Sequence, residues 1–201
     1  MRCYYFLMRH AGFVLVGGQS SRMGRDKALL PCRGTTLAQH IAQVVQEAAG
    51  TAALIGDPSR YSHLGYRVYA DDMPGRGPAS GIVTALAISE AEWSLIVGCD
   101  MPFVNAQPLR LLLQEAAATQ QKCVVPVGPG GPEPLCAVYH RDCLGLLKKA
   151  IAESRLRMRD IVRELPTLLV TGIDPESFAN LNTPEDFEAF SRAWTIPHST
   201  T

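Results

Sequence analysis

Between residues 15 and 27 the chain reads Leu15-Val16-Gly17-Gly18-Gln19-Ser20-Ser21-Arg22-Met23-Gly24-Arg25-Asp26-Lys27. Glycines let backbone N–H groups come close to a ligand. Arg22, Arg25 and Lys27 crowd three cations into six residues, and such charges repel one another unless an anion sits among them. The segment therefore reads as a phosphate-binding loop, with a solvated Gly-rich turn as the competing reading. It fits neither common Gly-rich fingerprint. Gly18 and Gly24 are separated by five residues and Lys27 follows three positions later, which breaks G-x-x-x-x-G-K-[ST], and G-x-G-x-x-G is absent.

A second candidate is Val97-Gly98-Cys99-Asp100-Met101-Pro102, an acid just beyond an apolar run. The oxygens of Asp100 suit Mg²⁺, which takes one or two carboxylates and keeps water and substrate phosphate as its other ligands. The alternative is an Asp capping the next helix. Asp71 and Asp72 offer a further carboxylate at the same rim, for ribose hydroxyls or a metal. Gly75-Arg76-Gly77-Pro78-Ala79-Ser80-Gly81 opens into a helix whose exposed amides favour an anion, or is plain turn chemistry. Lys148, Lys149, Arg155, Arg157, Arg159 and Arg163 face Glu153, Asp160 and Glu164: a solvated helix face, or a receiver for a second phosphorylated ligand.

These residues need strands to carry them to one edge. Phe13–Val16 is a short apolar run stopped by two glycines, which predicts a buried strand ending in a tight loop. Ile41, Val44, Val45 and Ala48 recur at helical spacing, with Gly50 as C-cap, and Ala52–Ile55 follows as a strand. Further strands are expected at Arg67–Tyr69, Ser94–Val97, Cys123–Val125, Leu135–Tyr139 and Thr167–Val170. Helices are expected over 81–88, around Leu109, Leu112, Leu113 and Ala116, and near 143–152 and 157–164. A last helix starts at Thr183-Pro184-Glu185-Asp186. Four prolines and three glycines in residues 126–134 predict a loop, so the strands beside it could be antiparallel neighbours. The fold class is α/β: a three-layer, Rossmann-like, mostly parallel mixed sheet with helices on both faces. Residues 1–201 form one domain, with 1–12 an N-terminal extension and 192–201 a flexible tail.

Composition removes other classes. The chain has 201 residues, 19 Lys+Arg and 19 Asp+Glu, and this balance argues against a nucleic-acid-binding domain. No apolar run approaches the ~18 residues that span a bilayer, and the apolar stretch after Arg2 is too short for secretion. Six cysteines without a C-x-x-C pair argue against zinc and for reduced thiols in a cytoplasmic protein. The neutrality is segregated: residues 17–34 and 148–164 each carry a surplus of bases, which suits two small phosphorylated substrates.

The signature from Leu15 to Leu30 resembles L-A-G-G-x-S-x-R-M-G-x-D-K of the molybdenum cofactor guanylyltransferases, the MobA family of nucleotidyltransferases. The likeness continues through Asp71, Gly77-Pro78 with Gly81, Cys99-Asp100-Met101-Pro102, Glu133–Tyr139 and Asn180–Glu185, spanning residues 13 to 190. It implies transfer of GMP from GTP to the phosphate of molybdopterin, with release of pyrophosphate. Carried over by position, Leu15, Val16, Gly17 and Gly18 would line the nucleotide, Lys27 would contact phosphate, Asp71 the nucleotide, and Asp100 Mg²⁺. Arg22 is added on charge grounds, facing the leaving pyrophosphate. GTP and molybdopterin are the implied partners, with transient contact to molybdoenzyme maturation proteins. Two departures stand out: Val16 occupies a position usually held by Ala, and Gly56 one where Asn often binds nucleotide. The competing readings are a cytidylyltransferase for the same pterin, disfavoured because Gly18 leaves room for a purine, another small nucleotidyltransferase, and a non-catalytic nucleotide-binding factor.

Overall fold

The computed structural model describes residues 10–17, 26–181, 183, 185–188 and 190. Gly18, Arg22 and the expected tail lie outside the described residues, as do residues 1–9. In chain order the elements are β1 (His10–Leu15), β2 (Pro31–Cys32), β3 (Thr35–Thr36), α1 (Leu37–Ala49), β4 (Ala53–Ile55), α2 (Pro58–Tyr61), β5 (Arg67–Tyr69) and α3 (Pro78–Ile88). They continue with β6 (Trp93–Gly98), α4 (Ala106–Ala118), β7 (Cys123–Gly128), β8 (Gly131–Pro132), β9 (Cys136–His140), α5 (Cys143–Ala152), α6 (Met158–Glu164) and β10 (Thr167–Val170).

The main sheet runs β10-β7-β9-β6-β1-β4-β5, with β8 hairpinned onto β7. β1 is parallel to β4 and β6, β4 to β5, and β7 to β10; β9 alone along this path is antiparallel to both neighbours. One apolar cluster packs α1 and α4 against one face, including Ile41, Val45, Leu109 and Leu112. A second packs α3, α5 and α6 on the other, including Ile82, Leu147 and Ile161. The expected three-layer mixed sheet is the observed one.

Local chemistry accounts for the element ends. Thr36 and Gln39 form a capping box at the start of α1, and Gly50 ends it in the left-handed region at φ 78°, where a Cβ would be strained. Thr183 and Asp186 cap each other reciprocally, with N–H to side-chain bonds of 2.8 and 3.1 Å, at the expected last helix; Pro184 lies outside the described residues.

Two boundaries differ from expectation. β1 begins at His10, so residues 10–12 of the expected extension belong to the central strand. Gly12 interrupts the apolar pattern because α1 lies against it: a Cβ there would stand 2.4 Å from both Thr51 O and Val45 Cγ1. The expected loop at 126–134 is instead largely a hairpin. β7 runs through Pro126 to Gly128 and pairs with Gly131–Pro132. Proline is tolerated there because what the ladder takes from Pro126 is its carbonyl, which accepts the Glu133 N–H at 2.9 Å.

Candidate active site

The carboxyl ends of the parallel strands are tied together rung by rung. Val16 N–H donates to Ile55 O at 2.9 Å, Gly56 N–H to Tyr69 O at 2.9 Å, and Cys99 N–H to Leu15 O at 3.2 Å. Leu15, Val16 and Gly17 therefore sit between the ends of β4 and β6. Gly17 has φ +104°, a turn that side chains disfavour, and its N–H donates to the buried Cys99 sulfur. Burial first, then the Asp100 and Asp26 charges, pushes the Cys99 thiol up to about 12. Leu15 supports α3 closely: a Cβ on Gly81 would meet Leu15 Cδ2 at 3.0 Å.

Lys27 opens a single 3-10 turn over Lys27–Leu29, capped by Asp26. Asp26 Oδ1 accepts the Ala28 N–H at 3.1 Å, while Oδ2 accepts the Tyr61 hydroxyl at 2.9 Å and the Arg60 guanidinium at 2.5 Å. Tyr61 is fully buried. Its ring lies beneath both Gly17 and Gly56, 3.7 Å (Oη) and 3.0 Å (Cε2) from where their Cβ atoms would be.

Asp100 follows β6, the parallel neighbour of β1, and so shares an edge with Gly17, as expected from the sequence. Desolvation pushes its carboxyl above the usual range, opposed by its own backbone N–H and then by the Lys27 charge. The Lys27 charge thus lies within electrostatic reach of the Asp100 carboxyl. The Asp100 carbonyl accepts the Leu181 N–H at 2.8 Å, which docks the C-terminal segment here. Next to it, the Asn180 side-chain oxygen is buried without a hydrogen-bond partner. A half-buried carboxylate disfavoured in its charged form, lining one cavity with an unpartnered amide oxygen, is a donor set that fits a hard divalent cation. Among the described residues no three His, Cys, Asp or Glu side chains cluster as a metal cage, so such a cation would take its remaining ligands from substrate and water.

Asp71 lies at the same rim beyond β5, but its carboxylate is engaged: it accepts from Ser80 Oγ at 2.6 Å, Met73 N–H at 3.0 Å and Thr84 Oγ1 at 3.3 Å. It anchors the first turns of α3. A cavity of about 460 Å³ adjoins Asp100, lined by Glu133, Arg157, Arg159, Arg163 and Asn180 among others. Glu133 is buried. Burial raises its carboxyl, while Arg159, bonded to it at 3.2 Å, opposes the shift. The basic run of 148–164 is therefore divided. Arg155 pairs with Glu153 and Glu164, Lys149 with Glu153, and Arg163 with Asp160, in exposed bridges; Arg157, Arg159 and Arg163 also line the cavity. A larger cavity of about 670 Å³ lies at the opposite edge, beside Trp93 and His140. The side chains of Arg110, Lys122 and His140 there already meet Glu47 O, Asp142 and Glu92.

Sequence reasoning did not single out Arg60, Tyr61, Glu133 or Asn180 as site residues. Only the last two carry a local signal, since each begins a segment that matched the signature. Gly18 and Arg22 lie outside the described residues.

An open α/β sheet whose first strand leads into Gly17 beside the acid of a parallel neighbour offers a ligand site at the carboxyl ends of its strands. Residues 12–168 match the MobA-like NTP transferase domain, and the chain belongs to that family. It is 30% identical over 195 residues to a probable molybdenum cofactor guanylyltransferase of Bacillus cereus strain AH187, covering 90% of this chain and 95% of that one. It is 32% identical over 179 residues to one from Nostoc sp. PCC 7120, covering 86% of each. In fold it matches molybdopterin-guanine dinucleotide biosynthesis protein A of Archaeoglobus fulgidus, with TM-score 0.79, 23% identity, and 92% and 98% of the two chains covered. The protein is an enzyme, a nucleotidyltransferase. No helix among the described residues is long and apolar enough to cross a membrane.

Proposed function

We propose that the protein transfers GMP from GTP to the terminal phosphate of molybdopterin, releasing pyrophosphate and forming the guanine dinucleotide. The observation that carries this reading is the parallel β1–β6 pairing, which puts Gly17 and Asp100 at one edge, with the Lys27 charge in reach of Asp100 and an arginine-lined cavity adjoining it. Leu15, Val16 and Gly17, with Gly18, form the nucleotide side, and Lys27 holds phosphate, with Arg22 toward the leaving pyrophosphate. Asp71 keeps α3 in place and offers ribose what remains of its acceptor capacity. The cavity with Arg157, Arg159 and Arg163 receives the phosphorylated pterin.

A phosphate monoester has its second pKa near ~6, so it is already largely a dianion at neutral pH and needs no general base. One of its oxygens forms a bond to the α-phosphorus of GTP as the bond from that phosphorus to the bridging oxygen breaks, and the electron pair leaves on pyrophosphate. What the chain must supply is positioning and neutralisation of two approaching anions. Asp100, with Asn180 nearby, would hold Mg²⁺, which supplies further positive charge when bound. The five described cysteines are free thiols, consistent with a cytoplasmic setting.

The test is pyrophosphate release with molybdopterin and Mg²⁺, run in parallel with GTP and CTP. Turnover with GTP is expected. Turnover with CTP alone would make the enzyme a cytidylyltransferase, and binding of GTP without turnover would make it a non-catalytic factor.

A further inference from the structure

We infer that Tyr61 and Arg60 are positioning residues, which set Lys27 and the Gly17 turn for the nucleotide through their grip on Asp26. The observations converge on one carboxylate. Asp26 lies at the neck of the phosphate loop, and both of its oxygens are occupied: one by the turn that starts at Lys27, the other by two donors from α2. α2 is anchored independently of the loop. Asp57 caps it, accepting the Ser59 N–H at 2.9 Å, and Tyr61 is fully enclosed in the core. An acid next to a polyanion site would ordinarily repel the ligand. Here the Arg60 guanidinium meets that charge at the carboxylate itself, and the hydroxyl fixes the direction in which the carboxylate points.

The Tyr61 ring does a second job. It lies under Gly17 and Gly56, so one side chain sets the height of the nucleotide-side turn and the direction of the turn that carries Lys27. The two sides of the loop are thereby held at a fixed spacing by a residue that touches neither substrate. Ring and hydroxyl can be separated experimentally, because Tyr61→Phe removes only the bond to Asp26.

The inference rests on Lys27 as a phosphate contact, and the experiment separates the two. GTP dissociation constants in Mg²⁺ and melting temperatures are measured for the wild type, Tyr61→Phe, Lys27→Ala and the double variant. Tyr61→Phe should weaken GTP binding about tenfold, the scale of one hydrogen bond to a charged group, and this loss should shrink below about twofold when Lys27 is already Ala. Arg60→Ala, at a half-exposed side chain, should weaken GTP binding with an unchanged melting temperature. Equal losses from Tyr61→Phe in both backgrounds, or no loss in the wild-type background, would overturn the positioning role. If Lys27→Ala leaves GTP binding intact, Lys27 is not a phosphate contact and the inference falls with that reading.

Discussion

Gly56 offers a sharp test of the packing beneath the nucleotide turn. A Cβ at this position would stand 2.3 Å from Val16 O, 2.8 Å from Val16 Cγ2 and 3.0 Å from Tyr61 Cε2. Gly56 is not in the left-handed region, so alanine carries no dihedral penalty and the conflict is purely one of space. The carbonyl cannot retreat easily, because Val16 N–H and Gly56 N–H are both bonded to neighbouring strands. Overpacking of this kind costs about 1–3 kcal/mol, and the close carbonyl puts it at the upper end; the stiffer unfolded chain returns about 0.4–1 kcal/mol. Gly56→Ala should therefore lose roughly 2 kcal/mol, about 4–8 °C in melting temperature for a chain of this size. GTP binding should weaken too, since Val16 must move. Gly145 is the matched control. It sits in α5 with nothing within 4 Å of its would-be Cβ, so Gly145→Ala should stabilise by about 0.5–1 kcal/mol. Thermal melts of the two variants beside the wild type decide the matter. If Gly56→Ala melts at or above the wild type, the steric reasoning is wrong.

Asp100→Asn should abolish Mg²⁺-dependent pyrophosphate release while the melting temperature is retained, because the amide keeps the shape and removes a charge that burial disfavours; an active, folded variant would remove Asp100 from the machinery. His40 is buried, with its Nε2 at 3.2 Å from Pro102 O. Burial and then Arg33 hold its pKa below the usual value, so the unfolded chain takes up the proton first. Stability should fall as pH drops through about 6.5, and His40→Gln should flatten that slope in melts from pH 8 to 5; parallel slopes would refute it. Cys99, Cys136 and Cys143 are pushed up to about 12, chiefly by burial, and Cys32 and Cys123 are also raised. A thiol-disulfide colour reagent at pH 8 should therefore react only slowly with these five thiols in the native protein, and with all six cysteines of the chain in guanidinium. Two or more fast thiols would count against that burial. Thr36→Ala removes the cap of α1 and should cost about 1 kcal/mol, read as a lower denaturant midpoint with unchanged slope.

The strands were legible where apolar runs were short and bounded, as at 94–97 and 67–69, and α1 and α4 were legible from helical spacing alone. Pro126 defeated that reading because it is used for a carbonyl rung, whereas in sequence it looks like a break. In the site, the place of Asp100 at the carboxyl edge was readable from its position two residues beyond a buried strand, with a helix cap as the competing use. Tyr61 was not: it meets Asp26 across 35 positions, and no local pattern announces such a contact. Glu133 closes a run that reads as a loop, and only the resemblance over Glu133–Tyr139 marked its segment. Asp71 was recognised as an acid at the rim, but its bonds to Ser80 and Thr84, which depend on how α3 lies over the sheet, could not be read in advance.

The reversed strand β9 has a bearing on how the molecule is made. β1 pairs with β6, which begins at Trp93, and β6 then waits for residues 136–140 to cover its other edge. A nascent chain that ends before His140 presents the apolar run Trp93–Gly98 with one row of N–H and C=O groups bare, the kind of edge that recruits other chains. Productive folding is thus tied to completion of the hairpin at 126–134. Chains stalled or cut upstream of it should aggregate, whereas a break beyond β9 leaves the pairing of the nucleotide half intact.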